Sequence, residues 1–272
     1  MPSSVKGARV TKARRASAKK PTTNNSNTTT TTTTKEPKPL PLIERTNQLP
    51  LDEFISLYVP PEGLTFESHP RTINDTAGGA DDESDRARQV YTAELYTADN
   101  IPAEDLEACF QLIEHTSAEA YQSSSIGWAP VAKKKEMRLP DMRYIVVRGR
   151  EVSSTTARDD ADGGETKGPL VGFLSFMVTY EDGKEVIYCY EVHIQPEAQR
   201  QGLGRWLLLA FEDIGRRVGL EQAMLTCFCS NAAATRCYNA LGYVVDESSP
   251  RPRRLRSGVV HEPDYMILSK RL

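Results

Sequence analysis

The sequence predicts an α+β domain with a mixed, mostly antiparallel central sheet flanked by helices. Residues 170–194 form two long apolar runs joined by Glu-Asp-Gly-Lys, in which Asp182-Gly183 is a strong hairpin signal. Beyond residue 200 the pattern changes to helix, strand, helix and strand. Antiparallel strands followed by alternating strands and helices are typical of this fold class.

The elements before the hairpin follow from local patterns. Ile43–Val59 has the apolar spacing of a helix that is broken near Pro50. Gln89–Thr97 reads as a strand. Pro102–Gln122 is a helix, because it begins with proline and acidic residues and then carries apolar residues on one face. Arg143–Gly149 is a buried strand.

The elements after the hairpin alternate in type. A helix at Gly202–Val218 is followed by an apolar strand at Gln222–Phe228 and a second helix at Asn231–Leu241. One strand then begins at Tyr243, and a last strand covers Asp264–Lys270.

The chain divides into three parts. Residues 1–38 are basic and threonine-rich and are expected to be disordered, because they hold too little apolar surface to offset the entropy of ordering. Residues 39–89 are expected to form an N-terminal helix and an acidic insertion (74–85) that pack on the core. Residues 90–272 form the main domain.

Charge and composition limit the kinds of ligand and the cellular location that we expect. The first twenty residues carry seven Lys or Arg and no acid, which leaves 27 basic against 37 acidic residues in the rest of the chain. The basic tail suggests nuclear import or loose nucleic-acid contact, or else a solvated extension. The acidic body suits a cationic ligand and argues against specific DNA binding. We expect a protein of the nucleus and cytoplasm.

No membrane span or secretory signal is expected, because no apolar run approaches eighteen residues. The five cysteines include Cys227-x-Cys229, and the four histidines are scattered. Neither a disulfide framework nor a metal site is expected from this pattern.

A glycine-rich turn at the start of a helix is the first motif that carries chemistry. Bare backbone N–H groups and the helix dipole favour a phosphate there. This turn lacks the lysine of a triphosphate-binding P-loop and the third glycine of a dinucleotide fingerprint. Its residues are Gln199, Arg200, Gln201, Gly202, Leu203, Gly204 and Arg205.

A second motif follows at Asn231-x-x-Ala234-x-x-Cys237-Tyr238, ending in Gly242-Tyr243. The two motifs, with a helix and a strand between them, resemble the GNAT superfamily of acetyl-CoA-dependent N-acetyltransferases. The resemblance implies the GNAT fold and acetyl-CoA as cofactor. It places the pyrophosphate at the glycine turn, with Arg200 and Arg205 as charge partners. It also places Asn231 against the pantetheine amides and Tyr238 near the thioester sulphur as an acid.

Within that superfamily the text resembles the D-type N-terminal acetyltransferases, which modify the N-terminal serine of core histones. The matching pieces are "YCYEV", "DESSP", "KKKEM" and Tyr-x₆-Trp at Tyr121 and Trp128, over about residues 90–272. The resemblance implies histone N-terminal peptides as partners, with no stable auxiliary subunit. Where relatives have Trp-Gly-Trp, this chain has Ile126-Gly127-Trp128.

Glu191 is the predicted proton acceptor for the substrate amine, assisted by the phenols of Tyr188 and Tyr190. A backbone N–H at Val192 or His193 is expected to stabilise negative charge on the thioester carbonyl. A regular strand would put the tyrosines on the face opposite Glu191, so we expect a bulge that turns one of them.

The expected peptide site is a larger set with open alternatives. The acidic members would meet a substrate arginine or else solvate a strand end. The hydroxyl and aromatic members would contact the peptide, or pack and bond among themselves. These residues are Tyr121, Trp128, Glu181, Thr226, Asp246, Glu247, Ser248 and Tyr265. Lys133–Lys135 are expected on a solvated helix face, and Cys189 is expected to be filler.

Two other functions stay open at this point. A lysine or polyamine acetyltransferase would use the same fold with a more open groove, although the paired tyrosines favour α-amines. A non-catalytic domain that binds acyl-CoA as a scaffold would not need Glu191.

Overall fold

The computed structural model describes residues 39–60, 64–68, 89–149, 168–254 and 256–272. The predicted disordered tail (1–38), the acidic insertion (74–85) and residues 150–167, which precede the hairpin, lie outside the described residues.

Six α-helices lie in the described part of the chain. They are α1 (Leu42–Asn47), α2 (Leu51–Tyr58), α3 (Ala103–Gln122), α4 (Pro130–Glu136), α5 (Leu203–Val218) and α6 (Ala232–Ala240). The break between α1 and α2 falls at Pro50, as predicted, since Pro50 is extended with ψ 151° and caps α2. The helices predicted at 102–122, 202–218 and 231–241 are confirmed to within one residue at each end.

The described strands run from β1 to β10. They are β1 (Thr65–Glu67), β2 (Val90–Thr97), β3 (Arg143–Gly149), β4 (Leu170–Glu181), β5 (Lys184–Ile194), β6 (Gln222–Phe228), β7 (Val244–Val245), β8 (Arg253–Arg254), β9 (Val260–His261) and β10 (Tyr265–Arg271). Eight of them form one sheet in the order β1-β2-β3-β4-β5-β6-β10-β7, and β8 and β9 form a separate hairpin.

The sheet is antiparallel throughout except between β5 and β6, which are parallel. The α5 helix makes the crossover that a parallel pair requires. The predicted mixed, mostly antiparallel sheet is therefore confirmed. No described helix is both long and apolar enough to cross a membrane.

The turn between β4 and β5 has the geometry that its residues predict. Asp182 has φ 48° and Gly183 has φ 82°. Two successive positive φ values are the mark of a type I′ hairpin turn, whose twist matches that of the flanking strands. This turn holds the two longest strands in register, and the candidate site lies on them.

Two apolar cores cover the two faces of the sheet. One contains α1, α2, α5 and α6 packed on the sheet, with Phe54, Phe176 and Phe211 fully buried. The other lies under α3 and includes Ile113 and Phe173. The helices thus clamp β4 and β5 from both sides, which fixes the strands that carry the site.

Candidate active site

A β-bulge reshapes β5 where it carries the predicted catalytic residues. Ser175 of β4 pairs with Glu191, but the next residue, Phe176, pairs with Cys189, so Tyr190 is the extra residue. As a result Tyr190 packs against the core beneath α3. The carboxylate of Glu191 faces the same core, where it accepts a hydrogen bond from Tyr121. The expected bulge is present and brings the tyrosines and the glutamate to one site.

The β5 and β6 strands separate just beyond the bulge. Their parallel pairing runs from Val186–Gln222 to Cys189–Leu225 and ends there. A wedge opens between the two strands and forms a cavity of about 100 Å³. Its walls are the ends of β5 and β6, and it is closed on one side by Ala234 and Tyr238 of α6 and by Asn231, the residue that caps this helix.

The hydrogen-bonding pattern decides which backbone N–H points into the wedge. Gln195 donates its N–H to the carbonyl of Val171 across β4, at 2.8 Å. Because antiparallel strands alternate between paired and outward N–H groups, His193 also faces β4 and Val192 faces the wedge. Of the two predicted donors, the geometry therefore favours Val192.

The glycine turn forms the second part of the cofactor site. Gly202 caps α5 with φ 95°, and none of the described side chains caps this helix. The first N–H groups of α5 are therefore left for a ligand. Apart from its two chain neighbours and the backbone of its own helix, no described atom lies within 4 Å of a Cβ placed on Gly204. This free space beside bare N–H groups suits a pyrophosphate.

Side chains of the turn have divided roles. Gln199 donates to the carbonyl of Ile194 at 3.0 Å, and the hydroxyl of Tyr91 donates to Gln201 Oε1 at 2.7 Å, so both glutamines hold the loop. Leu203 is buried in the core. Arg200 and Arg205 are exposed, which leaves them as the cations available to phosphate oxygens.

The α6 residues of the second motif also line the wedge. Asn231 caps α6 by accepting from the N–H of Ala234 at 3.0 Å, so its amide nitrogen is the part left to a ligand. Tyr238 is buried, and burial raises the pKa of its phenol well above 10.0, so it stays protonated and can donate.

A second cavity, of about 300 Å³, adjoins the wedge and is mainly apolar in lining. Tyr188 and Tyr190 form one wall and Trp128 another, while Tyr121 and Thr226 line both cavities. We call this cavity the groove. Trp128 stacks on Phe110, with ring centroids 5.9 Å apart, so its position is set by the core beneath α3.

The carboxylate of Glu191 lies among three donors from the described part of the chain. Its Oε1 accepts from the hydroxyl of Tyr121 at 2.9 Å and from Nζ of Lys133 at 2.7 Å. Its Oε2 lies 2.7 Å from Nε2 of His193. Glu191 is 9% exposed. The buried charge is thus held by an ion pair and two further hydrogen bonds.

These partners set the acidity of Glu191. Burial acts to raise the pKa of Glu191, but the charge of Lys133 and the hydrogen bond from His193 outweigh it and lower the pKa to about 2. With Lys133 in contact, Glu191 is ionised but is a weak base.

The three phenols that line the groove stay protonated at neutral pH. Burial raises the pKa of Tyr121 and of Tyr188 far above the ordinary value, and it raises the pKa of Tyr190 to about 12. They therefore act as hydrogen-bond donors, and none of the three is the base.

His193 links Glu191 to the surface. Its Nδ1 lies 2.6 Å from the hydroxyl of Thr116, an exposed residue of α3. An ionised carboxylate only accepts hydrogen bonds, so Nε2 of His193 carries a proton. A chain of two hydrogen bonds then runs from Glu191 to the outer side of α3.

The expectation that Lys133–Lys135 form a solvated face is wrong for Lys133. Its side chain is 12% exposed and bonded to Glu191, because α4 turns this residue towards the groove. Lys134 instead pairs with Glu107 on the outside at 2.8 Å. Three successive lysines in a seven-residue helix carry no signal that singles out Lys133, and nothing in the sequence marks Thr116.

Five residues predicted for the peptide site lie outside the lining of both cavities, and Glu181, the last residue of β4, is one of them. Glu247 forms an ion pair with Lys184 at 2.8 Å, and Asp246 accepts from the hydroxyl of Ser248 at 2.6 Å. Tyr265 pairs with Phe228 at the start of β10. Their contact with a peptide stays a prediction.

Comparison with known proteins agrees with this geometry. Residues 118–243 match the acetyltransferase (GNAT) family. N-alpha-acetyltransferase 40 of Saccharomyces cerevisiae is 30% identical over 171 residues, which cover 54% of this chain and 54% of that protein. An L-methionine sulfoximine/L-methionine sulfone acetyltransferase of Salmonella typhimurium is 32% identical over 88 residues, or 32% of this chain and 52% of that protein. The chain spans about half the length of these curated relatives.

Among solved structures, yncA of Salmonella typhimurium with its cofactor acetyl-CoA has a TM-score of 0.42 at 21% identity, over 67% of this chain and 94% of that chain. The matched family segment begins in α3 and ends just before β7, so it includes the bulge, the wedge and the glycine turn. The chain therefore has the GNAT fold, and its residues 118–243, just under half of the chain, match the GNAT acetyltransferase family, whose cofactor is acetyl-CoA.

Proposed function

We propose that this chain transfers the acetyl group of acetyl-CoA to the N-terminal amine of proteins that begin with Ser-Gly-Arg-Gly, as core histones do. The observation that carries the proposal is the position of Glu191, a carboxylate at the junction of the wedge and the tyrosine-lined groove. The similarity to N-alpha-acetyltransferase 40 supports an α-amine as acceptor.

Each cavity would hold one substrate. Acetyl-CoA supplies an activated acetyl thioester, and the wedge, the N-terminus of α5 and the amide of Asn231 are the parts that suit its arm. The N–H of Val192 would stabilise negative charge on the carbonyl oxygen of the thioester. The peptide would enter along the groove, with its amine directed at Glu191.

The acceptor amine must lose a proton before it can attack. An α-amine has a pKa of about 7.7–8.0, so much of it is charged at neutral pH. Glu191 would first hold the ammonium group and then accept its proton, directly or through water. The hydrogen bond from Nε2 of His193 holds the carboxylate of Glu191 in place for this step. Transfer is direct, within a complex of both substrates.

The charge around the groove supports a cationic peptide. Burial is the main cause of the raised pKa values of Tyr188 and Tyr190, and the negative charge of Glu181 adds to both. Glu136 lines the same groove. The carboxylates of Glu181 and Glu136 would favour an arginine in the third position of the substrate.

The test is acetylation of a peptide panel, followed by mass spectrometry. We expect acetylation of the Ser-Gly-Arg-Gly peptide at its N-terminus. Replacing its arginine by alanine should reduce kcat/KM about tenfold to a hundredfold, which corresponds to about 1.5–3 kcal/mol for a hydrogen bond to a charged group. Equal rates on the two peptides would refute the histone-like substrate.

The rival functions give different results in the same assay. Transfer to internal lysines of an N-terminally blocked peptide, or to a polyamine, would favour the second candidate. Binding of acetyl-CoA without turnover on any amine would favour the scaffold. For the whole protein we also propose a nuclear and cytoplasmic location, directed by the basic tail of residues 1–38, which imaging of tagged full-length and truncated proteins would test.

A further inference from the structure

Lys133 places a primary ammonium group where the proposed reaction needs the substrate's own ammonium group. Its Nζ lies 2.7 Å from Oε1 of Glu191 and 3.1 Å from the hydroxyl of Tyr121. Lys133 also lines the groove together with Tyr188 and Tyr190. The lysine therefore reaches the predicted acceptor carboxylate from the side on which a peptide would enter.

The oxygen of Glu191 that this lysine contacts has no capacity left. A carboxylate oxygen has two lone-pair sites, and Oε1 already accepts from Tyr121 and Lys133. The other oxygen, Oε2, is bonded to His193. An ammonium group that arrives along the groove and binds Oε1, the oxygen on which Lys133 lies, must displace a donor from it. The phenol of Tyr121 belongs to the long helix α3, whereas Lys133 is a flexible side chain on a short one.

A second carboxylate is ready to take the displaced lysine. Nζ of Lys133 also lies 2.6 Å from Oε2 of Glu136, one turn along α4. The side chain of Glu136 is 27% exposed, against 9% for Glu191. Lys133 can therefore leave Glu191 without becoming an unpaired charge. While no substrate is bound, Lys133 also neutralises the buried carboxylate of Glu191. Without a partner, such a buried charge would strongly destabilise the fold.

We propose that Lys133 is a resident occupant of the amine subsite, which the substrate ammonium displaces from Glu191 towards Glu136. Lys133 then makes binding selective, because a ligand reaches Glu191 only if it can compete with the ammonium group of Lys133 for that carboxylate. This inference rests on the proposed function, because it requires an amine substrate in the groove.

The experiment measures peptide binding by calorimetry with coenzyme A present, so that no acetyl transfer occurs. Two peptides are compared: Ser-Gly-Arg-Gly, and the same peptide with hydrogen in place of its α-amino group. The readout is the ratio of the two dissociation constants, desamino over amino, since only the amino peptide competes with Lys133.

In Lys133→Met, which keeps the length of the side chain without its charge, we expect this ratio to rise at least fivefold. In Glu136→Gln, which removes the alternative partner, we expect it to fall. Lys134→Met is the matched control on the same helix, because Lys134 pairs with Glu107 outside the groove, and it should leave the ratio unchanged. Circular dichroism checks that each variant is folded.

The outcomes distinguish a failure of the role given to Lys133 from a failure of the proposed function. A wild-type protein that binds the amino peptide, with a ratio that is unchanged or lower in Lys133→Met, refutes the role of Lys133 and leaves the proposed function standing. A lower ratio would mean that Lys133 supports amine binding by holding Glu191 ionised. If Lys133→Met does not fold, an unchanged or higher ratio in Glu136→Gln refutes the inference by itself. A wild-type protein that binds neither peptide refutes the proposed function, and the inference falls with it.

Discussion

The hydroxyl of Tyr188 lies 2.6 Å from the hydroxyl of Thr226, and this contact joins β5 to β6 beside the point where their pairing ends. Thr226 belongs to the walls of both the wedge and the groove. The contact therefore couples the position of one tyrosine wall to the strand that borders the cofactor cavity.

Thr226→Val removes this hydrogen bond and keeps the shape of the side chain. We expect a loss of about 1 kcal/mol in the stability of the productive peptide complex, or about a fivefold rise in KM for the peptide, with acetyl-CoA affinity nearly unchanged. Steady-state kinetics and calorimetry measure the two quantities. Thr226→Ser, which keeps the hydroxyl, is the control, and equal behaviour of the two variants would contradict the role given to this contact.

Gly204→Val should separate cofactor binding from folding. A Cβ at this position meets no described atom within 4 Å beyond its chain neighbours and its own helix backbone, so the protein should fold with an unchanged melting temperature. The same side chain fills the space in front of the α5 N–H groups, so acetyl-CoA affinity should fall at least tenfold, about 1.4 kcal/mol. Unchanged affinity by calorimetry in a folded variant would show that the pyrophosphate does not bind there.

Gly202→Ala is the contrasting change at the same turn. Gly202 has φ 95°, and a Cβ there would lie 3.3 Å from the ring of Phe66. We therefore expect destabilisation of about 1–2 kcal/mol, measured by urea unfolding.

Glu191→Gln tests the proton acceptor. The amide keeps the shape of the side chain and cannot take the proton, so turnover should fall about 10²–10⁴-fold while acetyl-CoA binding is kept. Glu185→Gln, on the same strand, is the matched control and should retain full turnover. A wild-type kcat in Glu191→Gln would mean that another group, or water alone, accepts the proton.

The same residue should make stability depend on pH. Because the pKa of Glu191 is lowered from 4.5 to about 2 in the folded protein, its ionised form stabilises the fold above the unfolded pKa. That contribution is lost as the pH falls from about 4.5 to about 2. Urea unfolding of wild type and Glu191→Gln should differ by an amount that is constant above pH 5, on the order of 3 kcal/mol, and that shrinks towards zero below it. A difference that grows on acidification would contradict the ion pair with Lys133.

Local sequence signals predicted most of the sheet. Asp182-Gly183 specified the turn between β4 and β5, and the apolar run Gln222–Phe228 was predicted with the bounds of β6. The strands that were not predicted are short: β1, at the edge of the sheet, has three residues, and β8, in the separate hairpin, is Arg253–Arg254, a dipeptide with little intrinsic preference for a strand. Such strands form because a neighbour pairs with them.

The site was predictable only where a motif marks it. Glu191 and the glycine turn belong to motifs, and the bulge was expected from the alternation of side chains along β5. Lys133 and Thr116 reach Glu191 and His193 from helices that are distant in sequence. Contacts of this kind depend on how α3 and α4 pack on the sheet, and no local pattern records that packing.

The open wedge has a consequence for how long the protein survives. Beyond Cys189 and Leu225, β5 and β6 no longer pair with each other, so the eight-stranded sheet has a gap between these two strands, which we call a seam. A ligand that fills a seam in the folded state and has no site in the unfolded chain stabilises the fold by mass action, by about 2.7 kcal/mol at a free concentration a hundredfold above its dissociation constant. A chain of this design is therefore most resistant to unfolding and proteolysis when acetyl-CoA is abundant. The amount of folded protein would then depend on the supply of acetyl-CoA as well as on the rate at which the protein is synthesised.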